Sequence, residues 1–149
     1  MYFIFKLIYF RDFSFQKDLK ERVTHLYFTK NIYEAKLKAN SEILIMDCTY
    51  KSNKYHLPLL SVVGTTCLNT TFYAAFGFLL QERTKDFTWF LGIFQTLYRR
   101  LDLEDPKVIV IDRDAALMAA IREIFPYTTN LLCLWHINKC VQAEWKPVF

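Results

Sequence analysis

Glycine and proline are scarce in this chain of 149 residues, at three and four respectively. So little of either leaves no flexible linker or low-complexity segment. No internal repeat is visible. Charge of one sign is not concentrated either. The longest basic groups are Lys51/Lys54 and Arg99/Arg100, and the net charge is only +4. That balance is compatible with a nucleic-acid partner but too small to argue for one alone. The four cysteines, Cys48, Cys67, Cys133 and Cys140, lack the dense spacing of a secreted disulfide scaffold. Free thiols in a reducing compartment are expected. The apolar start, "MYFIFKLIYF", is too short to cross a bilayer and has neither a basic leader nor a small-residue cleavage site. It reads as a core strand or as the remnant of a longer parent chain. A soluble intracellular protein with no membrane partner is expected.

What the chain has in quantity is apolar and aromatic side chains, 53% and 17% of residues. That excludes disorder and suffices for one domain with a substantial core. Residues 14 to 27 carry Phe15, Leu19, Val23, Leu26 and Tyr27 at helical spacing behind Ser14, so a helix is expected there. A short helix from Ile32 to Lys38, capped by Asn31, is expected to follow. "EILIMDCTY", "LPLLSVVGTT" and "TTFYAAFGFLL" then read as three strands joined by short connections, most simply an antiparallel meander. Residues 86 to 100 place Phe87, Phe90, Leu91, Phe94, Leu97 and Tyr98 on one helical face. "PKVIVID" is a short strand of the buried parallel type. Asp114 caps a helix, "AALMAAIREIF", and "NLLCLWHI" is a fifth strand running into a last helix. The expected architecture is α/β: a mixed five-stranded sheet with helices on its faces. This is the ribonuclease H-like layout, although the string of elements permits other α/β folds.

Two strands end alike, "ILIMD" at Asp47 and "VIVID" at Asp112. A carboxylate at the end of a buried strand is costly unless its charge is compensated. Ligands of open α/β sheets bind beyond the carboxyl ends of strands. If the two strands are neighbours, both aspartates share one mouth and offer oxygen ligands to a hard divalent cation. The alternative is that each aspartate merely turns the chain after its strand. The pattern leaves both open. "CLWHINKC" sets Cys133, His136 and Cys140 at a spacing that suits part of a zinc site, but no fourth ligand is evident. A buried strand thiol and a hydrogen-bonded histidine at a strand–helix junction remain alternatives.

"DCTYKSNKYHLPLLSVVG", "VIVIDRDAALMAAIREIFP" and "LLCLWHINK", in this order and spacing, resemble the transposase domain of Mutator-like elements (MULE), which is shared with plant far-red-impaired-response regulators. The resemblance covers roughly residues 25 to 145, leaving residues 1–24 as an N-terminal extension of a core spanning 25–149. It implies a ribonuclease H-like fold, a DDE active site using Mg²⁺ or Mn²⁺, DNA as partner, and a nuclear location. A full-length transposase or a second copy are implied as further partners. By position, Asp47 corresponds to the first acid and Asp112 to the second. Cys133 and His136 match the Cys/His signature, whose role looks structural or assists DNA contact. Lys51, Lys54 and Arg113 flank the expected mouth as candidate phosphate contacts. The family's third acid, a glutamate, lies well beyond that signature after an inserted helical region. Glu144 is too close to His136 to be it. The expectation is therefore a truncated DDE core with little or no activity alone. The competing expectation is a non-catalytic DNA-binding or regulatory module of the same origin.

Overall fold

The computed structural model describes residues 12–49 and 53–145. The N-terminal decapeptide and Lys51 lie outside the described residues. In chain order the elements are β1 (Asp12–Lys17), β2 (Val23–Thr29), α1 (Asn31–Ala39), β3 (Ile43–Thr49), β4 (Leu59–Thr65), β5 (Thr71–Phe78), α2 (Thr84–Arg100), β6 (Val108–Ile111), α3 (Ala115–Ile124), β7 (Thr129–Leu132) and α4 (Leu134–Glu144). The strands form one mixed sheet in the order β1-β2-β5-β4-β3-β6-β7. Strands β3 to β5 are the expected antiparallel meander, and β6 and β7 add in parallel beside β3.

The count differs from expectation. Seven strands are present among the described residues, not five, because residues 14–27 are not a helix. They form most of a β1–β2 hairpin that pairs through β2 with β5. Its turn is built by Asp18, whose Oδ1 accepts hydrogen bonds from the backbone N–H groups of Lys20 at 2.8 Å and Arg22 at 3.0 Å. That Asx geometry reverses the chain inside the apparent helical stripe, with Glu21 at φ 61°. The period that counts is two. Phe13 opposes Phe28 and Phe15 opposes Leu26 on one face, while His25 and Tyr27 point to the other. The α1 helix forms as expected, but Lys30 rather than Asn31 is its N-cap, and no side chain caps it.

The core lies between the sheet and the pair α2–α3. Every residue of the face expected for α2 is buried: Phe87, Phe90, Leu91, Phe94, Leu97 and Tyr98. They pack on Leu44 and Met46 of β3, Leu60 and Val62 of β4, and Ile109 and Ile111 of β6. The Tyr98 hydroxyl donates to the Ser41 carbonyl at 2.9 Å and so ties the end of α2 to the entry of β3. Gln95 Nε2 donates to the Ile124 carbonyl at 2.8 Å and links α2 to α3. A buried pair, His25 Nε2 to Asp86 Oδ1 at 2.7 Å, joins the hairpin to the first turn of α2.

Asp114 caps α3 as its sequence position implied, with Oδ1 accepting from Ala116 N–H at 2.8 Å and Leu117 N–H at 2.9 Å. Replacing it by alanine leaves both donors unmet, so Asp114→Ala is expected to cost about 1 kcal/mol. Urea unfolding checks this, and an unchanged midpoint would show that the cap is dispensable.

Candidate active site

Strands β3 and β6 are neighbours, as a shared mouth requires. Their parallel register pairs Ile45 with Val110, two residues before Asp47 and Asp112 respectively. The two aspartates therefore stand at the same level of the sheet, on the same face: Asp112 directly follows β6, whereas Asp47 still pairs with Ser61 inside β3, which runs on to Thr49 rather than ending at the aspartate. Alternation puts them opposite the α2–α3 core, since Leu44, Met46, Ile109 and Ile111 take the buried face.

The premise that Asp47 ends a buried strand needs correction. Its side chain is 43% exposed, and Ile43 at the other end of β3 is exposed too. Solvent already compensates the Asp47 charge. Asp47 Oδ2 also accepts from the Thr49 hydroxyl at 3.2 Å. The strained carboxylate is Asp112. Its Oδ1 is buried and has no hydrogen-bond partner. Burial first, then the charges of Asp114, Asp47 and Glu82, push the Asp112 carboxyl above its ordinary value, while His136 opposes them.

Only part of the Cys/His segment converges on this mouth. Cys133 N–H donates to the Ile111 carbonyl at 2.6 Å, which fixes the entry of α4 beside the end of β6. Three residues on, His136 Nε2 lies 3.6 Å from Asp47 Oδ1, with Nδ1 buried and unpartnered. Cys133 itself is half-buried and Cys140 is exposed. Among the described residues no three His, Cys, Asp or Glu side chains stand together as a ready metal site. This includes the Cys133–His136–Cys140 set. The Glu144 side chain lies outside the described residues.

Of the candidate phosphate contacts, Lys54 and Arg113 are described. Arg113 is exposed directly after Asp112. Lys54 is exposed in the β3–β4 connection, with Nζ 4.9 Å from the Tyr55 ring centroid. Sequence reading did not single out Glu82, in the β5–α2 connection, whose charge acts on Asp112. β5 runs parallel to β3 through two antiparallel steps, so this connection leaves the sheet at the same edge. The Glu82 carboxylate hydrogen-bonds the Cys48 thiol. Burial, followed by the Glu82 charge, pushes that thiol well above its ordinary value. The polar run "QERTKD" marks a connection in the sequence, but nothing in it reveals which edge it crosses.

The model of one family, described as the MULE transposase domain, matches residues 43–140. That stretch holds both aspartates, the Cys/His segment and the strands that bring them together. The chain belongs to the MULE transposase domain family. Similarity to curated proteins agrees. FAR1-related sequence 5 of Arabidopsis thaliana is 31% identical over 108 residues, covering 72% of this chain and 13% of that protein. Far-red impaired response 1 of the same plant is 26% identical over 127 residues, 84% of this chain and 15% of that protein. A PKS-NRPS hybrid synthetase of Chaetomium globosum is 31% identical over 120 residues, 78% of this chain but only 3% of the synthetase. The MULE chain thus spans a small fraction of each relative's length. No helix among its described residues is long and apolar enough to cross a membrane.

Proposed function

We propose that this MULE domain is a ribonuclease H-like catalytic core for divalent-cation-dependent phosphodiester chemistry on DNA, centred on Asp47 and Asp112. The strand order β5-β4-β3-β6-β7, with β4 alone antiparallel to the other four, supports the ribonuclease H-like reading. The observation that carries the site is the level pairing of Asp47 with Asp112, together with the orphaned, buried Asp112 Oδ1. A lone oxygen in that position, held among like charges, fits a hard cation such as Mg²⁺ or Mn²⁺. When bound, such a cation supplies Lewis-acid polarisation of a phosphoryl oxygen and an acidified water. The chain's own residues do the rest. Asp47, within β3, and Asp112, directly after β6, provide the oxygen donors. Arg113 and Lys54 hold the DNA phosphates at the mouth, and His136 holds the Asp47 carboxylate in place from α4.

A second reading is a DNA-binding regulator of transposase origin without catalysis. It is favoured by the similarity to the FAR1-related proteins and by the lack of a ready three-donor set among the described residues. Nicking of supercoiled DNA separates the two. The catalytic reading expects nicking with Mn²⁺, none in EDTA, and none from Asp47→Ala. DNA binding that ignores both Mn²⁺ and Asp47→Ala, with no nicking, would establish the regulator instead.

A further inference from the structure

We propose that the face of the sheet turned away from α2 and α3 is a base-stacking platform for an unpaired DNA strand, which it leads across β1, β2 and β5 towards Asp47 and Asp112. This rests on the DNA reading proposed above and names the form of DNA that the face takes.

The register lays the platform down. Phe13 pairs with Phe28, Phe28 with Phe76, Phe76 with Ser61, and Ser61 with Asp47. Direct cross-strand partners share a face, so one row runs from the edge strand to the aspartates. Adjacent strands lie about 4.8 Å apart, which puts Phe76 about 10 Å and Phe13 about 19 Å from Asp47 along the row. An irregularity in the β4–β5 pairing leaves Ala74 and Ala75 both buried, so Tyr73 and Phe76 emerge together with ring centroids 4.7 Å apart. The buried residues of α1, α2 and α3 all belong to the core on the other face. On this one Phe13, Phe15 and Tyr73 stay about half exposed.

The charges on the row select the occupant. An apolar protein surface laid along it would also cover Asp47 and Asp112 and bury carboxylates it cannot compensate. A second copy packed face to face would bring the same carboxylates to the contact. A polynucleotide suits both parts of the row: bases stack on the rings, while phosphates and a cation lie at the aspartates. The rings are pre-aligned, Phe28 and Phe76 within 21° of parallel and Phe13 and Phe15 within 10°. Cations stand at both ends of the path. Lys54 and Arg113 are at the mouth, and Lys17 Nζ lies 5.8 Å from the Phe15 ring centroid at the edge. The ion pair of Lys17 with Glu21 is exposed and holds it only weakly. The strand has to be unpaired, because a duplex hides the faces of its bases in its own stack.

The test is fluorescence anisotropy of labelled oligonucleotides with the whole chain, in EDTA and at one salt concentration. A single strand is expected to bind about tenfold or more tightly than the same sequence as a duplex, and an abasic strand no better than the duplex. Phe13→Ala should weaken the single strand about tenfold, and Phe13→Trp should keep the parent's affinity with an indole emission that the single strand quenches. The abasic strand decides the matter even if Phe13→Ala folds poorly. Equal affinity for the single strand, the duplex and the abasic strand overturns the platform. Mn²⁺-dependent nicking that is lost in Asp47→Ala would then leave the catalytic reading standing without it. Single-strand binding that depends on Phe13 in a chain that never nicks upholds the platform, and the catalytic reading falls alone. Sedimentation addresses the other occupant: a dimer that Phe13→Asp separates, with single-strand affinity unchanged, would make this face a contact between copies and overturn the proposal.

Discussion

Asp112→Asn is expected to separate stability from function: a chain that melts higher than the parent without metal and no longer nicks DNA with it. Asp112 is half-buried, has an unpartnered buried oxygen, and stands among the charges of Asp114, Asp47 and Glu82. Asparagine keeps the shape and removes the charge, so the metal-free fold is relieved of repulsion. In EDTA at pH 7 the variant should therefore melt higher than the parent chain, by a small margin because solvent screens a part-exposed carboxylate. The sign with pH follows from the raised carboxyl. Its charge opposes folding above the folded-state value, and that cost fades as pH falls through it and is gone below the ordinary 3.8. The melting advantage of the variant should therefore be full at neutral pH and vanish in acid. Metal-dependent nicking should fall by about 100-fold or more, because loss of one donor both weakens the cation and misplaces the reacting oxygens. A variant that melts lower in EDTA, or that nicks normally, contradicts this account of Asp112.

Gly77→Ala should be the most damaging small substitution in the sheet. A Cβ at this position would lie 2.3 Å from Cδ2 and 2.5 Å from Cε2 of Phe90. The Phe90 ring cannot retreat. It is fully buried, with the Tyr27 ring centroid 5.2 Å away and that of Phe94 at 6.5 Å. Gly77 pairs with both Tyr27 and Leu60, so the backbone is held on both sides as well. The strain has to be absorbed by lifting α2 off β5, at an expected cost of about 3 kcal/mol or roughly 6–12 °C. A double-mutant cycle identifies the cause. In a Phe90→Leu background Gly77→Ala should cost distinctly less, since the shorter side chain leaves room for the new methyl. Equal cost in both backgrounds would show that Phe90 is not what Gly77 accommodates.

These two positions also show where legibility in the sequence ended. Asp112 was readable because a short, wholly apolar run ended in an acid, and a second run ended in the same way. Gly77 was not, because its meaning depends on Phe90, Tyr27 and Leu60, which are distant in the chain. The hairpin was misread for a related reason. Phe15, Leu19, Val23 and Leu26 fit a helical stripe, and only the Asp18 turn and the pairing with β5 make period two the operative one. Even for Asp47 the residue type was informative while its environment was not, since burial of the strand did not extend to its carboxylate.

By itself the sequence determined the local elements from β3 onward, the apolar face of α2, the Asp114 cap and the family. Each of these depends on neighbours within a few turns or on a motif written contiguously. Tertiary structure alone decided which strand ends share an edge, that Asp47 and Asp112 stand level, and that His136 returns to Asp47. Those relations follow from strand order and register, which are settled by non-local pairing and common burial rather than by any local pattern.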